Sequence, residues 1–246
     1  MLREPLRRVA VLAGHNALLR RRDPAHLVSY LVMPMVLMLI FKSMMGEATQ
    51  AVTGMLVMFS VLSMADVATA TLSERLWHTW DRLRATRARL PEIMIGKALP
   101  AFAVLLLQQA VLLAYGTFAV GMRPAWPFWP LALAVVAWGF ALLGLGTAIA
   151  GVVRGPGELT TLCNVGALSV SALGGALVPF AMMPDWARVI APVSPGYWAT
   201  TMMRAAVRGD VAGTVRPAAV LLALGLAASL YAWRRFGKGW GGAGAL

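Results

Sequence analysis

The sequence predicts an all-α polytopic membrane protein with six spanning helices, and three observations carry that prediction. Of its 246 residues 59% are hydrophobic and only 13% charged, against about a quarter charged in a soluble domain. The apolar residues fall in runs long enough to cross a bilayer, which takes roughly 20 residues per helix. Short polar or basic segments separate the runs. Together the runs use most of the chain, so residues 1–246 read as a single transmembrane domain with no room for a separate soluble one.

The elements follow in order. Residues 1–26 form a candidate interfacial helix, with Leu2, Leu6, Val9, Leu12, Ala13 and Ala17 on one face and Arg3, Arg7 and Arg8 away from it. Val11 and Leu18 sit on the basic side and make the pattern imperfect. The segment reads as an orientation signal or as a helix lying on the inner leaflet, and the two are compatible. Its first apolar run starts only at Leu27 and is too long for the core of a cleavable signal peptide.

The six spans are expected at about 27–45, 51–72, 93–120, 128–153, 159–180 and 217–233. Most of the basic residues fall in the segments that lie inside if both termini are cytoplasmic, among them Arg20 to Arg22, Arg75, Arg82, Arg84, Arg87, Arg89, Arg234 and Arg235. The positive-inside rule therefore favours that orientation. It also accounts for the net charge of +12. Nucleic acid is excluded as a partner, because no basic stripe lies outside a membrane context.

Two segments break the membrane pattern. Residues 73–91 are charged and amphipathic: Leu76, Trp77, Trp80 and Leu83 fall at helical spacing, and arginines surround them. Such a helix is suited to docking on another protein. Residues 181–208 are too apolar for an ordinary loop and too broken for a span, with Pro184, Pro192, Pro195 and Gly196. They read as an outer re-entrant hairpin anchored by Trp186, Tyr197 and Trp198, or as an extended outer loop.

Little in the chain carries chemistry. There is one cysteine, Cys163, which reads as a small residue packed between helices. No Walker sequence, nucleophile elbow or paired carboxylate is present, and the three histidines lack metal spacing. The chain is therefore expected to hold no catalytic residue, no metal and no cofactor of its own. Asp66 is the ionisable residue set most deeply in a span. A charge there costs roughly 2.5–3.5 kcal/mol, so it faces the bundle or a wet cavity, either in a substrate path or gate or in an interhelical hydrogen bond. Met33, Phe59, Ser63, Asp66, Asn164 and Ser169 form the candidate substrate pathway. The methionines offer flexible thioethers to varied apolar shapes, and the polar residues either face a shared cavity or bridge helices. Glu158 meets the N-terminus of the fifth span, and Gly139, Gly144, Gly146 and Gly151 allow close helix approach in the fourth.

With these parts in view the chain resembles the ABC-2 type permease family, the membrane subunits of bacterial ABC exporters. The residues that carry the resemblance are SERLWHTWDRLRATRARLPEIMIGKALP, RGPGELTTLCNVGALSVSALGGALVPFAMMPDW and IAPVSPGYWATTMMRAA. Their order and spacing are specific although no one of them is. The very short connection near Gly46 to Gln50 departs from relatives with a large external domain. The resemblance implies a permease of the bacterial inner membrane that pairs with a second copy or homologue and with two ATPase subunits holding Mg-ATP. It makes 73–91 the coupling helix, with Arg75, Leu76, Trp77, Trp80, Arg82, Leu83 and Arg84 contacting the ATPase. The expected cargo is an apolar or amphipathic small molecule, as in multidrug and antibiotic efflux. Export of a lipid or lipid-linked glycan, an ion-coupled carrier using Asp66, and a membrane enzyme are the competing readings.

Overall fold

Ala48–Leu76, numbered α3 below, is the helix around which the others pack. Its spanning window is 78% buried, against 28% for the last helix of the chain. The computed structural model describes residues 3–22, 25–77, 90–178 and 180–237. Its helices are α1 (Arg3–Arg22), α2 (Ala25–Met45), α3, α4 (Leu90–Tyr115), α5 (Trp129–Val152), α6 (Pro156–Leu173), α7 (Asp185–Ile190), α8 (Pro195–Val207) and α9 (Val211–Gly237). A π-helical turn, Gly116–Val120, extends α4. No strand occurs among the described residues.

Among the described residues four helices are long and apolar enough to cross a membrane: Ala48–Leu76, Pro91–Val120, Trp129–Val152 and Val211–Phe236. They correspond to the second, third, fourth and sixth expected spans. The first expected span is helical, but its apolar stretch is the shorter Val28–Met44. The fifth stops at Leu173 rather than near residue 180. The cause is local. Gly174 and Gly175 follow, Gly175 at φ +75°, and a Cβ at Gly174 would lie 2.5 Å from the Gly196 carbonyl carbon. The chain turns there because α8 crosses too closely for a side chain. The sixth expected span begins earlier than Pro217, at Val211. Asp210 precedes it, and its Oδ1 accepts from Gly213 N at 2.9 Å, which satisfies one of the unpaired N–H groups of the first turn.

The core gathers around α3. Met55, Leu56 and Phe59 meet Leu105 and Leu112 of α4, Trp138 and Leu142 of α5, Met202 and Met203 of α8, and Leu221 of α9. Glycines set the closest approaches. A methyl at Gly144 would collide with the Gly225 carbonyl oxygen, and one at Gly225 would sit 2.9 Å from Ala141 Cα, so α5 and α9 touch backbone to backbone. Gly146 is held 3.0 Å from Met64 Cγ by the same measure and Gly139 3.1 Å from a Phe102 ring carbon, whereas Gly151 keeps ordinary room at 3.6 Å from Arg235. Cys163 is buried with Ala68, Leu72, Ala150, Val153 and Leu159. Glu158 Oε2 accepts from Arg154 N at 2.8 Å just ahead of α6, a carboxylate at the helix N-terminus.

Residues 181–208 contain α7, a 3₁₀ turn at Ala191–Val193, and α8. Helix α8 is the more deeply set of the two. Ala199, Met202, Met203, Ala206 and Val207 are buried, while Trp186 of α7 is 64% exposed. Ser194 Oγ donates to Val170 O at 3.1 Å and accepts from Gly196 N, so the start of α8 is tied to α6. Trp198 Nε1 donates to Pro192 O at 2.8 Å, and the Phe180, Tyr197 and Trp198 rings form a run of contacts.

Helix α1 lies against α4. Leu12 packs on the Ile93, Ala232 and Phe236 cluster, and Arg8 Nη1 stands 3.6 Å from Glu92 Oε2. Of the expected apolar face, Val9, Leu12 and Ala13 are half-buried but Ala17 is exposed, as is Val11 on the basic side. Asn16 shares that face, and its Nδ2 donates to Leu12 O.

Candidate functional site

The last turns of α3 and the first turns of α4 carry the polar residues that meet at the α1 end of the bundle. Glu74 and Lys97 form an ion pair between the two helices. The next residue, Arg75, donates from Nη1 to Val153 O at 2.6 Å and so fastens the end of α3 to the carbonyl that closes α5. That carbonyl has no partner within its own helix, and a guanidinium is a fitting donor at a helix C-terminus. Leu76 and Trp77 then project outward, 42% and 73% exposed.

Beside this cluster is a cavity of about 680 Å³ lined mainly by α3, α4, α5 and α9, and by Asn16 of α1. Asp66, Thr69, Ser73, Glu74 and Trp77 line it from α3, and Lys97, Ala98, Ala101 and Val104 from α4. Phe140, Leu143 and Thr147 of α5 and Ser229 and Trp233 of α9 complete the wall. Its size lies in the range of small-molecule sites, about 300–1,000 Å³. The wall mixes apolar side chains with polar ones, Thr69, Thr71 and Ser73 among them.

Asp66 also borders a second, much smaller void of about 10 Å³, with Tyr30, Ser63, Leu105 and Gln108. That is room for about one water molecule among several polar partners. Gln108 Nε2 donates to Tyr30 O at 3.2 Å and Phe59 O at 3.4 Å, joining α2, α3 and α4 beside the void. Ser63 Oγ donates to Phe59 O at 2.9 Å.

The structure thus brings together two of the six expected pathway residues, Ser63 and Asp66. Phe59 is buried in the main core one turn away. Met33 is 58% exposed on α2. Asn164 and Ser169 are exposed on α6, whose buried face is Leu159, Cys163, Ala167 and Ser171, and no α6 residue is among those lining either cavity. Of the expected docking residues, Arg75, Leu76 and Trp77 are placed as above, with Arg75 turned to Val153. Trp80, Arg82, Leu83 and Arg84 lie outside the described residues.

Sequence reasoning did not single out Lys97, Thr147, Phe140, Ser229 or Trp233. For the smaller void Gln108 was a readable signal, since an amide in the middle of an apolar run needs partners inside the bundle.

Four long apolar helices packed around α3, with a cavity among them, define a multi-pass membrane protein. Residues 7–207 match the family model of the ABC-2 type transporter, and the chain belongs to that family. It is a membrane permease component, a transport part rather than a catalytic one, of the kind that associates with ABC ATPases. No curated protein matches the chain.

Proposed function

We propose that this chain is the transmembrane permease subunit of an ATP-driven exporter that moves a hydrophobic or amphipathic small molecule, of the drug or antibiotic type, out of the cell. The family match over residues 7–207 is the observation that carries this reading. In it, α2 and α6 join the four long helices as membrane spans, both termini face the cytoplasm of a bacterial inner membrane, and 73–91 is the coupling helix. Two ATPase subunits holding Mg-ATP and a second permease copy or homologue complete the transporter.

The end of α3 supports the docking part. Exposed Leu76 and Trp77 lead directly into the amphipathic stretch that holds Trp80 and Leu83. Buried aromatic anchors with a charged rim are the residues that dominate docking energies. ATP-driven movement of the partner would pull on α3 through this segment, and α3 forms one wall of the cavity.

Replacing both Trp80 and Leu83 by Glu is expected to abolish ATP-driven export while the protein still inserts. Unchanged export by that double variant would remove this surface as the docking site. Affinity purification from native membranes tests the assembly itself. Recovery of a stoichiometric protein with a Walker loop is expected, and recovery of the chain alone with transport intact would overturn the reading in favour of an ion-coupled carrier using Asp66. The cavity's drug-sized volume, with apolar and polar side chains mixed in its wall, favours a small amphiphile over a lipid-linked glycan, whose sugars need a long polar lining.

A further inference from the structure

The large cavity has a charge pattern that selects its ligand. Among the described residues its walls carry two carboxylates, Asp66 and Glu74, and one ammonium, Lys97. Glu74 and Lys97 pair with each other. Asp66 lies eight residues earlier on α3, about 12 Å further along the helix at 1.5 Å per residue. The charges of the wall thus sum to one negative, and Asp66 also borders the small void it shares with Tyr30, Ser63 and Gln108. The same wall carries the apolar side chains of Ala98, Ala101, Val104 and Leu143 and the Phe140 ring, with Thr69, Thr71 and Ser73 on the α3 side.

We propose that this cavity, within one protomer, binds a lipophilic cation, with its positive centre at Asp66 and its apolar body along α4 and α5. A carboxylate at membrane depth is costly and is stabilised by an opposite charge brought to it. Aromatic residues in the wall, Trp77, Phe140 and Trp233, favour the same sign, because a ring face attracts a cation through its quadrupole. An anionic amphiphile meets the opposite arrangement, a wall with two carboxylates, Asp66 and Glu74, against the one ammonium of Lys97. The cavity volume of about 680 Å³ fits a drug-sized body rather than a whole phospholipid.

The inference rests on the export reading for its physiological meaning, but the binding itself needs no ATPase and is tested without one. The full chain, purified in a neutral maltoside detergent, is titrated with tetraphenylphosphonium and with tetraphenylborate, a pair of nearly the same shape and opposite charge. Saturable binding of the cation and none of the anion is expected. Asp66→Asn should weaken cation binding by roughly tenfold or more, the scale of one charge-assisted contact, while Asp66→Glu retains most of it. Ala98→Trp, which fills the cavity without touching the charge, should also abolish binding and stands in if Asp66→Asn does not fold.

Equal binding of the two ions, cation binding that only partitions without saturating, or undiminished binding in the variants would each overturn the proposal. Co-purification of the ATPase is read separately. A chain that brings its ATPase but does not discriminate the two ions sinks this proposal alone; one that binds the cation but comes without an ATPase sinks the exporter reading alone.

Discussion

The side chains of Gln50 and Arg204 donate to one acceptor, the carbonyl oxygen of Gly175, from Nε2 at 3.0 Å and Nη2 at 2.5 Å. Gly175 has φ +75° at the end of α6, and the turn leaves its carbonyl facing α3 and α8. Thr200 Oγ1 bonds the preceding carbonyl, that of Gly174. Three helices are thus fastened at the end of the bundle opposite α1. Burial pushes the Arg204 guanidinium below its ordinary value, while nearby Glu47 acts to raise it.

Because the two donors share an acceptor, their losses should not add. Arg204→Met is expected to cost about 1.5–3 kcal/mol and Gln50→Leu about 1 kcal/mol. The double variant should cost more than the sum, since only it leaves the carbonyl unpaired. Thermal unfolding of the four proteins in detergent checks this, and simple additivity would show that the carbonyl is satisfied in another way.

Gly144→Val should destabilise the bundle by about 1–3 kcal/mol, because the added atoms meet the Gly225 backbone. Gly151→Ala provides the contrast. A Cβ there has ordinary room, so the change should be neutral, or stabilising by up to about 1 kcal/mol through helix propensity. Equal effects at the two positions would argue against backbone contact between α5 and α9.

Asp210→Ala removes the acceptor for Gly213 N and is expected to cost about 0.5–2 kcal/mol. Asp210→Asn keeps an acceptor oxygen and should lie within a few tenths of wild type. Hydrogen exchange of the first turn of α9 is the sensitive measurement, with faster exchange expected only in the alanine variant.

Arg75→Ala frees the Val153 carbonyl and loosens the end of α3. The loss of stability should be about 1.5–3 kcal/mol, as for a hydrogen bond to a charged group. On the proposed exporter reading, ATP hydrolysis should persist while export falls, because a docked segment after Trp77 would no longer move α3 as a rigid unit. Parallel loss of both activities would instead place Arg75 in the docking contact itself.

Several features were legible one residue at a time. The apolar runs marked α3, α4, α5 and α9, since length and hydropathy are local properties. The small residues of α5 announced close packing, and Glu158 announced a helix start. Boundaries were misread where a neighbour decided them. Helix α6 stops at Leu173 because α8 crosses at Gly174, and α9 starts before Pro217 because Asp210 caps it. The candidate pathway split for a similar reason. Met33, Asn164 and Ser169 were selected by residue type, yet the rotation of α2 and α6 turns them outward.

The sequence by itself determined the membrane class, the kinship with a permease family and the amphipathic stretch after α3, because each depends on composition and spacing within a single segment. The tertiary structure alone decided where the cavity lies and what it presents. Its wall draws a few residues from each of α3, α4, α5 and α9, all of them helices that are mostly apolar on every side. Which of those residues face one another follows from helix rotation and approach, set by contacts such as Gly144 on Gly225 and by the pairing of Glu74 with Lys97, and no pattern within one helix encodes the angle of its neighbour.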